Sequence, residues 1–449
     1  MSKIGKYLIA AVLIIVPLFP KFPLINVPGT YVAIRFEDIL LLLLAVATLV
    51  RVIPNLKSFL KDEIVQAFLI FFGAGLISVA AGAFLTKTVD LQLGLFHWLR
   101  RIEYAVPFFG VITLLRKEDA VRNINFYIKI LLIVIGLAFV YGFGQIYLHF
   151  PVIITQNEQY SKGIALLYTA GTQLNSTFAG HYDLSAFCVL VLPIFLTLAF
   201  VLRDKLTKFF LFAGSIAAVW LLINTFSRTA QAAYLISVGL SLILVKKFKM
   251  ALAVVLISTV VIGLSSGIQM RFLRLFETFL GKVGLNSTNI TVMAADTTLQ
   301  VREVTPFVPT PTPVPINEDR STSIRLYVEW PRALRSFYKN PILGTGYSST
   351  GLATDNDYLR MLGETGLLGF FAFFLIFVRL WKLVIVRALP LTAKLQGIEL
   401  GFVAGLIGSV VGAFLIAVFI DIFEASKFAT IFWLLTGYSV YLLRNTQYD

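Results

Sequence analysis

The sequence predicts an all-α membrane protein with about twelve transmembrane spans and one large outer loop between spans 9 and 10. Of its 449 residues, 58% are hydrophobic and 14% are charged, and the mean hydropathy is +0.85. This composition is too apolar for a soluble domain. Apolar runs of about 17–25 residues, each long enough to cross a bilayer, recur along the whole chain. We therefore predict one membrane domain over residues 1–449.

The apolar runs place the spans in chain order. The first half contains six, at residues 7–24, 38–53, 64–85, 93–114, 125–147 and 183–202. The second half contains six more, at residues 207–224, 229–245, 249–266, 366–386, 398–420 and 426–443. The first run resembles a signal peptide but has no small-residue cleavage site after it, so we expect it to remain as the first span.

Basic residues predict the orientation of the spans. Lysine and arginine collect in every second loop, at Lys3/Lys6, Arg51/Lys57/Lys61, Arg116/Lys117/Arg122, Arg203/Lys205/Lys208, Lys246/Lys247/Lys249, Lys382/Arg387/Lys394 and Arg444. The positive-inside rule places these loops and both termini in the cytoplasm of a multi-pass plasma (inner) membrane protein. Because these loops hold most of the net charge of +14, we predict no nucleic-acid partner.

The large outer loop spans residues 267–365. Its first part, 270–280, is amphipathic and is expected to lie in the membrane interface. A proline tract at 305–315 is typical of an extended tether. Helical periodicity returns from 324 to 338 as an amphipathic helix, which places Arg325, Glu329 and Arg332 on one face.

Several arginines fall on the outer side, where topology predicts few. Arginine keeps its charge in a dry site and forks onto phosphate oxygens, so this set could hold a diphosphate at the membrane edge. Local pairing is the alternative for some of them, since acids lie close in sequence. Arg228 has no such acid, which favours a role in substrate binding. The set is Arg35, Arg100, Arg101, Arg228, Arg325 and Arg332.

A second group of charges precedes the tenth span. Asp355 or Asn356 can cap a helix there, and Asp357, Arg360 and Glu364 follow on one stripe. Charges beside a span are costly unless they are paired, solvated or used. A solvated helix end with internal ion pairs is the simpler alternative.

His181 is the histidine with a possible chemical role. It lies near the outer mouth of the sixth span, and Asp183 follows closely. A His–Asp pair could transfer protons. A capping role in the membrane interface is the favoured interpretation.

Three motifs together carry a family resemblance. They are Ser227-Arg228-Thr229-Ala230, the segment from Asn340 to Tyr347 (N-P-I-L-G-T-G-Y), and Asp355-Asn356-Asp357-Tyr358-Leu359 followed by Glu364-Thr365-Gly366-Leu367-Leu368-Gly369. In this order and topology they resemble the O-antigen ligase and polysaccharide polymerase superfamily of membrane glycosyltransferases. The resemblance covers most of the chain in layout.

The resemblance implies transfer or polymerisation of a glycan from a polyprenyl-diphosphate carrier onto an acceptor sugar at the outer face of the membrane, with no metal or cofactor. It implies that a base acts at the position of Asp355 and that arginines, here Arg228 and Arg325, stabilise the leaving diphosphate. Asp357 and Glu364 are alternative bases, and so is His181 if the fold brings it beside Asp355. The ligases usually carry histidine where this chain has Asp355, so ligase and polymerase both stay open. The implied partners are the lipid-linked donor, a glycan or lipid-glycan acceptor, and the bilayer. The predicted substrate-binding residues are Arg35, Arg100, Arg101, Arg332, Asn356, Asp357, Glu364 and His181.

Two other functions compete with this interpretation. A secondary transporter or flippase is the main one, because twelve spans is a common transporter count. No internal repeat is visible in the sequence, however, and charge collects at the outer rim rather than at the midplane. The other is a ligase-like protein that binds lipid-linked glycan without catalysis.

Overall fold

The computed structural model of the protein describes residues 2–26, 33–116, 120–153, 167–169, 172–264, 324–351 and 353–445. Helices dominate these ranges, which confirms the all-α prediction for them. The small sheet they contain is one antiparallel pair, β1 (Pro23–Asn26) and β2 (Ala33–Arg35). The predicted interfacial helix at 270–280 and the predicted tether at 305–315 lie outside the described residues.

Most helices of the first half begin and end close to the predicted spans, but the first prediction, 7–24, is wrong at its end, because α1 ends at Leu18 and residues 23 and 24 lie in β1. They are α1 (Ser2–Leu18), α2 (Phe36–Val52), α3 (Leu56–Leu60), α4 (Glu63–Ala80, continued by a π-helical turn to Leu85), α5 (Leu91–Leu114), α6 (Ala120–Tyr147) and α7 (His181–Val201). Asp62 and Asp90 accept backbone hydrogen bonds at the starts of α4 and α5, as N-cap residues do.

The second half contains α8 (Lys205–Asn224), α9 (Arg228–Leu244), α10 (Phe248–Gly263), α11 (Trp330–Lys339), α12 (Asp357–Ala388), α13 (Leu391–Lys394), α14 (Gly397–Ala417) and α15 (Ser426–Asn445). A helix lies at each of the twelve predicted spans. Among the described helices, seven are long and apolar enough to cross a membrane, while α9 and α10 are apolar but shorter. The count of twelve spans and the placement of the outer loop therefore stay predictions.

Helix α7 lies at the centre of the bundle. Every residue from Asp183 to Ala199 is buried, because α8, α9 and α14 pack around it. A Cβ atom on Gly405 of α14 would lie 2.5 Å from the Cα of Ile194 in α7. A larger residue at Gly405 would therefore force these two helices apart. An almost uniformly apolar sequence is what a helix surrounded by other helices requires.

Helix α12 is kinked, and a preceding segment of chain stabilises the kink. Gly366 has φ +63°, a conformation that favours glycine. Just after it, the amide of Leu367 donates to the carbonyl of Pro341 at 2.9 Å. Gly344 approaches α12 so closely that a Cβ there would lie 2.3 Å from the carbonyl oxygen of Glu364. The motif from Asn340 to Tyr347 and the motif that begins at Glu364 therefore pack directly against each other.

Lys427 joins three parts of the chain at the end of the bundle that is predicted to face outward, here called the outer end. Its side chain is fully buried, and Nζ donates to the carbonyls of Pro17 (3.1 Å), Phe19 (2.9 Å) and Thr177 (2.7 Å). The Phe178 ring centroid lies 5.0 Å from Nζ. Because three acceptors meet one ammonium group, α1, α15 and the chain before α7 are held together.

Replacing Lys427 by methionine should lower the midpoint of thermal unfolding in detergent. Three carbonyls in buried or partly buried hydrogen bonds would lose their donor, and an unsatisfied buried group costs about 1–3 kcal/mol. Lys382→Met is the matched control, because that side chain is 55% exposed and pairs with Glu63 at the surface. Such exposed pairs contribute about 0–1 kcal/mol. Equal midpoints for the two variants would show that the buried lysine has no special role.

Candidate active site

Asp355 and Arg325 form an ion pair at the outer end although 30 residues separate them in sequence. Asp355 Oδ2 accepts a hydrogen bond from Arg325 Nε at 2.9 Å and lies 2.8 Å from Nη2. Nη2 also donates to the Tyr182 hydroxyl at 3.2 Å. Arg325, whose nearest acid in sequence is Glu329, thus contacts the predicted base directly.

The two charges of this pair oppose the effect of burial. Burial raises the pKa of Asp355 above its ordinary value, and Arg325 counteracts that rise. Burial by itself would lower the pKa of Arg325, but Asp355 and Tyr182 raise it. Moving Arg325 away from Asp355 would therefore make the carboxylate a stronger base.

Asp421 holds the backbone around Asp355. Its carboxylate accepts hydrogen bonds from the amides of Thr354 (2.8 Å), Asp355 (3.1 Å) and Asn356 (2.9 Å). Asp355 itself has φ +50°. Successive amides converge on one anion when the backbone turns in this way. An acid from the loop between α14 and α15 therefore orients the predicted base.

Asn356 and Asp357 use their side chains to secure the start of α12. Asn356 Oδ1 accepts from the Leu359 amide at 2.9 Å, which makes it the N-cap. Asp357 Oδ2 accepts from the amides of Ile422 (2.8 Å) and Phe423 (3.2 Å). Both residues are buried. We expect these two predicted substrate-binding residues to act by positioning the site.

Arg360 connects Asp421, in the loop between α14 and α15, to Glu364 of α12 and to the backbone at Gly351. Nη1 lies 2.8 Å from Asp421 Oδ2, Nε lies 3.4 Å from Glu364 Oε1, and Nη2 donates to the Gly351 carbonyl at 2.5 Å. Glu364 also accepts from the Thr350 hydroxyl at 2.7 Å. Glu364 is buried, so this predicted substrate-binding residue lies in the supporting network.

Arg101 pairs with Glu424 of the same loop. It also donates from Nη1 to the Phe423 carbonyl at 3.3 Å and lies over the Tyr347 ring, 5.1 Å from its centroid. Burial by itself would raise the pKa of Glu424, but Arg101 and Arg360 lower it to about 2. A carboxylate with so low a pKa is a poor proton acceptor at neutral pH. Glu424 is therefore a fixed negative charge.

A polar cavity of about 420 Å³ at the outer end is bordered by Arg101, Asp355, Arg360, Asp421 and Glu424 of this network. Its size lies within the range of about 300–1,000 Å³ that is typical of small-molecule sites. Both signs of charge line it, so the cavity suits a substrate that has ionic and hydrogen-bonding groups. The charged lining residues are Lys21, Arg35, Arg100, Arg101, Asp183, Asp355, Arg360, Asp421 and Glu424.

Arg35 and Arg100 line this cavity with loose ion pairs. Arg35 Nη1 lies 3.7 Å from Glu37, and Arg100 Nη2 lies 3.9 Å from Asp38. Both distances exceed that of a normal hydrogen bond. Arg100 also donates to the Ala33 carbonyl at 3.0 Å. The two predicted substrate-binding arginines thus keep capacity for another acceptor.

Three other predicted residues are not among those that line the cavity. Arg332 donates to the Ala353 carbonyl at 2.5 Å and so supports the chain before α12. Arg228 is half-buried at the first position of α9. His181 begins α7 with its ring 4.0 Å from that of Tyr182, and the cavity lining includes Tyr182 but not His181.

An apolar cavity of about 400 Å³ lies between α12, α14 and α15. Phe374 and Phe414 form its outer end. Tyr358 lies beside both, because its hydroxyl donates to the Phe414 carbonyl at 2.7 Å and its ring stacks on Phe374 with centroids 6.1 Å apart. Tyr358 lies in the first turn of α12, three residues after Asp355. A hydrocarbon-lined space therefore begins next to the polar site.

The sequence patterns did not identify Asp421 and Glu424. Both lie in the short stretch between the last two predicted spans. Acids at the edge of an apolar span are costly unless they are paired or used. The argument that singles out arginines at the outer edge of the spans therefore also applies to Asp421 and Glu424.

The O-antigen ligase family model matches residues 213–374, about a third of the chain. The matched range includes Arg228, Arg325, Asp355 and Glu364. No curated protein gives a significant match. The family match and the apolar helices together indicate a multi-pass membrane protein. The match confirms the resemblance carried by the three motifs and supports placing this chain in the O-antigen ligase-like superfamily.

Proposed function

We propose that the protein transfers a glycan from a polyprenyl-diphosphate carrier to an acceptor sugar hydroxyl at the outer face of the plasma membrane, without a metal. The family match suggests membrane glycan transfer in cell-surface polysaccharide synthesis. The observation that carries the finer proposal is the contact between Asp355 and Arg325 beside the polar cavity. A base and a cation for the leaving group are thereby brought to one place.

In the proposed reaction, the acceptor hydroxyl oxygen attacks the anomeric carbon of the donor. Asp355 accepts the hydroxyl proton as the new carbon–oxygen bond forms. The bond from the anomeric carbon to the diphosphate oxygen breaks, and the polyprenyl diphosphate leaves with the electron pair. Arg325 and Arg228 stabilise the negative charge that develops on the diphosphate.

The ion pair between Asp355 and Arg325 couples donor binding to base strength. Before the donor binds, Arg325 counteracts the effect of burial on the carboxylate. When a diphosphate binds the guanidinium instead, the pKa of Asp355 rises because burial is then opposed less strongly, by Arg360 alone of the two arginines. The stronger base is available only when the leaving group is in place.

The distribution of buried charge favours this function over a transporter. Transporters typically hold their substrates near the membrane midplane. In the described ranges, the buried lysine, arginine, aspartate and glutamate residues lie toward the outer end. They are Lys21, Glu37, Asp183, Asp357, Arg360, Glu364 and Lys427. The apolar cavity beside Tyr358 further supports a substrate with a hydrocarbon carrier.

Glycan transfer in liposomes tests the proposal. We expect purified protein with a polyprenyl-diphosphate-linked oligosaccharide and a glycan acceptor to form product in the presence of EDTA. Arg228→Ala should reduce the rate at least about a hundredfold, the scale for losing one stabiliser of transition-state charge. Arg203→Ala, which changes an exposed arginine at the opposite end of α7, should keep the wild-type rate.

Each competing function has its own outcome in this assay. Wild-type activity that EDTA abolishes and magnesium restores would contradict the metal-independent reaction. Movement of the donor across the membrane without transfer would favour a flippase. Donor binding without either reaction would favour a catalytically silent protein.

A further inference from the structure

Two buried carboxylate oxygens at one end of the polar cavity lack a hydrogen-bond donor within the described residues. They are Oδ1 of Asp183 and Oε2 of Glu37. Asp183 is 9% exposed and lines the cavity, and Glu37 is 2% exposed and lies behind it. A buried acceptor without a donor is costly, and such groups are rare in folded proteins. Of these two carboxylates, Asp183 borders the cavity, where a donor from a bound molecule would satisfy it.

The other oxygen of each carboxylate already faces a protein group. Asp183 Oδ2 lies 3.5 Å from Lys21 Nζ. Glu37 Oε1 lies 3.7 Å from Arg35 Nη1 and accepts from the Ser426 hydroxyl at 3.3 Å. Lys21, Arg35 and Ser426 also line the cavity. This part of the cavity therefore offers acceptors and donors side by side.

This mixture of charges selects the chemical class of the ligand. Lys21 and Arg35 oppose binding of a cation at the two free oxygens. An anion would be repelled by Asp183 and Glu37, and it could not donate to them. A neutral hydroxyl group, which both donates and accepts, fits the two kinds of partner.

The volume argues for a polyhydroxylated molecule rather than a lone water. One water occupies about 30 Å³ in the liquid, whereas the cavity measures about 420 Å³. A sugar ring carries several hydroxyl groups at fixed spacing, so it can meet Asp183 and Lys21 together. It also presents carbon surface to the remaining walls.

We propose that Asp183 and Lys21, supported by Glu37 and Arg35, form the subsite that holds a sugar ring of the acceptor. Asp183 Oδ1 accepts from one sugar hydroxyl, and Lys21 donates to another sugar oxygen. Tyr182, the neighbour of Asp183, contacts Arg325, which contacts Asp355. The held sugar and the base therefore share one cavity. The assignment of this sugar to the acceptor rests on the proposed function.

Direct binding of simple glycosides tests the subsite without the donor. The probes are p-nitrophenyl glycosides of glucose, galactose, mannose and rhamnose, titrated by saturation-transfer NMR against the full chain in nanodiscs. We expect at least one to bind wild type and to bind Asp183→Asn at least tenfold more weakly. Lys21→Met should weaken the same glycoside. Glu63→Gln, at a half-exposed carboxylate of α4 outside the cavity, should bind like wild type.

Monodeoxy analogues of the binding glycoside identify the contact itself. The analogue that lacks the hydroxyl held by Asp183 should bind wild type more weakly, yet lose nothing further in Asp183→Asn. Failure of all four glycosides to bind wild type, or equal binding to both proteins, would overturn the subsite. Because no donor is present, this result is independent of whether the protein transfers glycans. Thermal unfolding of each variant confirms that it is folded.

Discussion

Asp355→Asn is expected to slow glycan transfer by about 10²–10⁴-fold, the usual contribution of a general base. Asparagine keeps the size of the side chain and a hydrogen-bond acceptor for Arg325, but it cannot take the proton of the acceptor hydroxyl. The backbone around the site is held by Asp421 through main-chain amides, so the fold should survive the change. Initial rates in liposomes at saturating donor and acceptor measure the effect.

Glu329→Gln is the matched control for Asp355→Asn. Glu329 lies four residues after Arg325, and burial and the charge of Asp355 raise its pKa. Its charge interacts with that of Asp355, so it lies close enough to be tested as a replacement base. We expect Glu329→Gln to keep most of the activity. A large loss in Glu329→Gln with an active Asp355→Asn would move the role of base to Glu329.

The dependence of the wild-type rate on pH follows from the same carboxylate. Only its deprotonated form accepts a proton, so the rate should fall as the pH falls through the pKa of Asp355. Burial raises that pKa, so the decline should be centred above the value of about 3.9 that is usual for aspartate. The residual rate of Asp355→Asn should show no decline of this origin.

Arg325→Ala is expected to reduce transfer by about 10²–10³-fold, the cost of losing one stabiliser of transition-state charge. Arg325→Lys should recover only part of the rate, because an ammonium group is a point charge and cannot engage two oxygens in parallel. Arg335→Ala changes an exposed arginine of α11, the helix that follows Arg325, and should behave like wild type. Rates measured at saturating donor separate this effect from weaker donor binding.

The pH profile of Arg325→Ala distinguishes direct contact with Asp355 from a general structural effect. Arg325 counteracts the rise in the pKa of Asp355. Without it, the decline on acidification of kcat/KM for the donor, which reports the enzyme before the donor binds, should begin at a higher pH than in wild type. A reduced kcat/KM with an unshifted profile would mean that Arg325 does not influence Asp355 in the free enzyme.

The sequence alone was sufficient to predict helices close to where the structure has them. Apolar runs of sufficient length can form only helices in a bilayer, unless they close into a barrel, because backbone polar groups must be satisfied internally. The cost of charge beside a membrane span likewise pointed to the outer arginines, because such charges must be paired, solvated or used. The three motifs also carried the family resemblance, which the match over 213–374 confirms. Apolar runs, charges beside a span and short motifs are all local features, so they are visible in a single sequence.

The partners of the charged residues were decided by the tertiary structure. Arg101 pairs with Glu424, 323 residues away, rather than depending on its sequence neighbour Glu103. Arg325 reaches Asp355, and Asp421 from the loop between α14 and α15 orients the backbone of Asp355. Pairing depends on which helix ends meet, and helix packing leaves no local pattern in the sequence.

The structure also distinguishes the predicted site residues that line the cavity from those that hold the surrounding backbone and side chains in place. The cavity is lined by Asp355, Arg35 and Arg100. In contrast, Asn356 caps α12, and Glu364 accepts a hydrogen bond from Thr350 outside the cavity. All are polar residues near a membrane edge, and from sequence alone they look alike. Their different roles follow from the direction each side chain takes and from the donors it meets. Composition and motifs therefore predicted the kind of protein and a set of charged residues at one end of it, while packing decided which of them line the polar cavity.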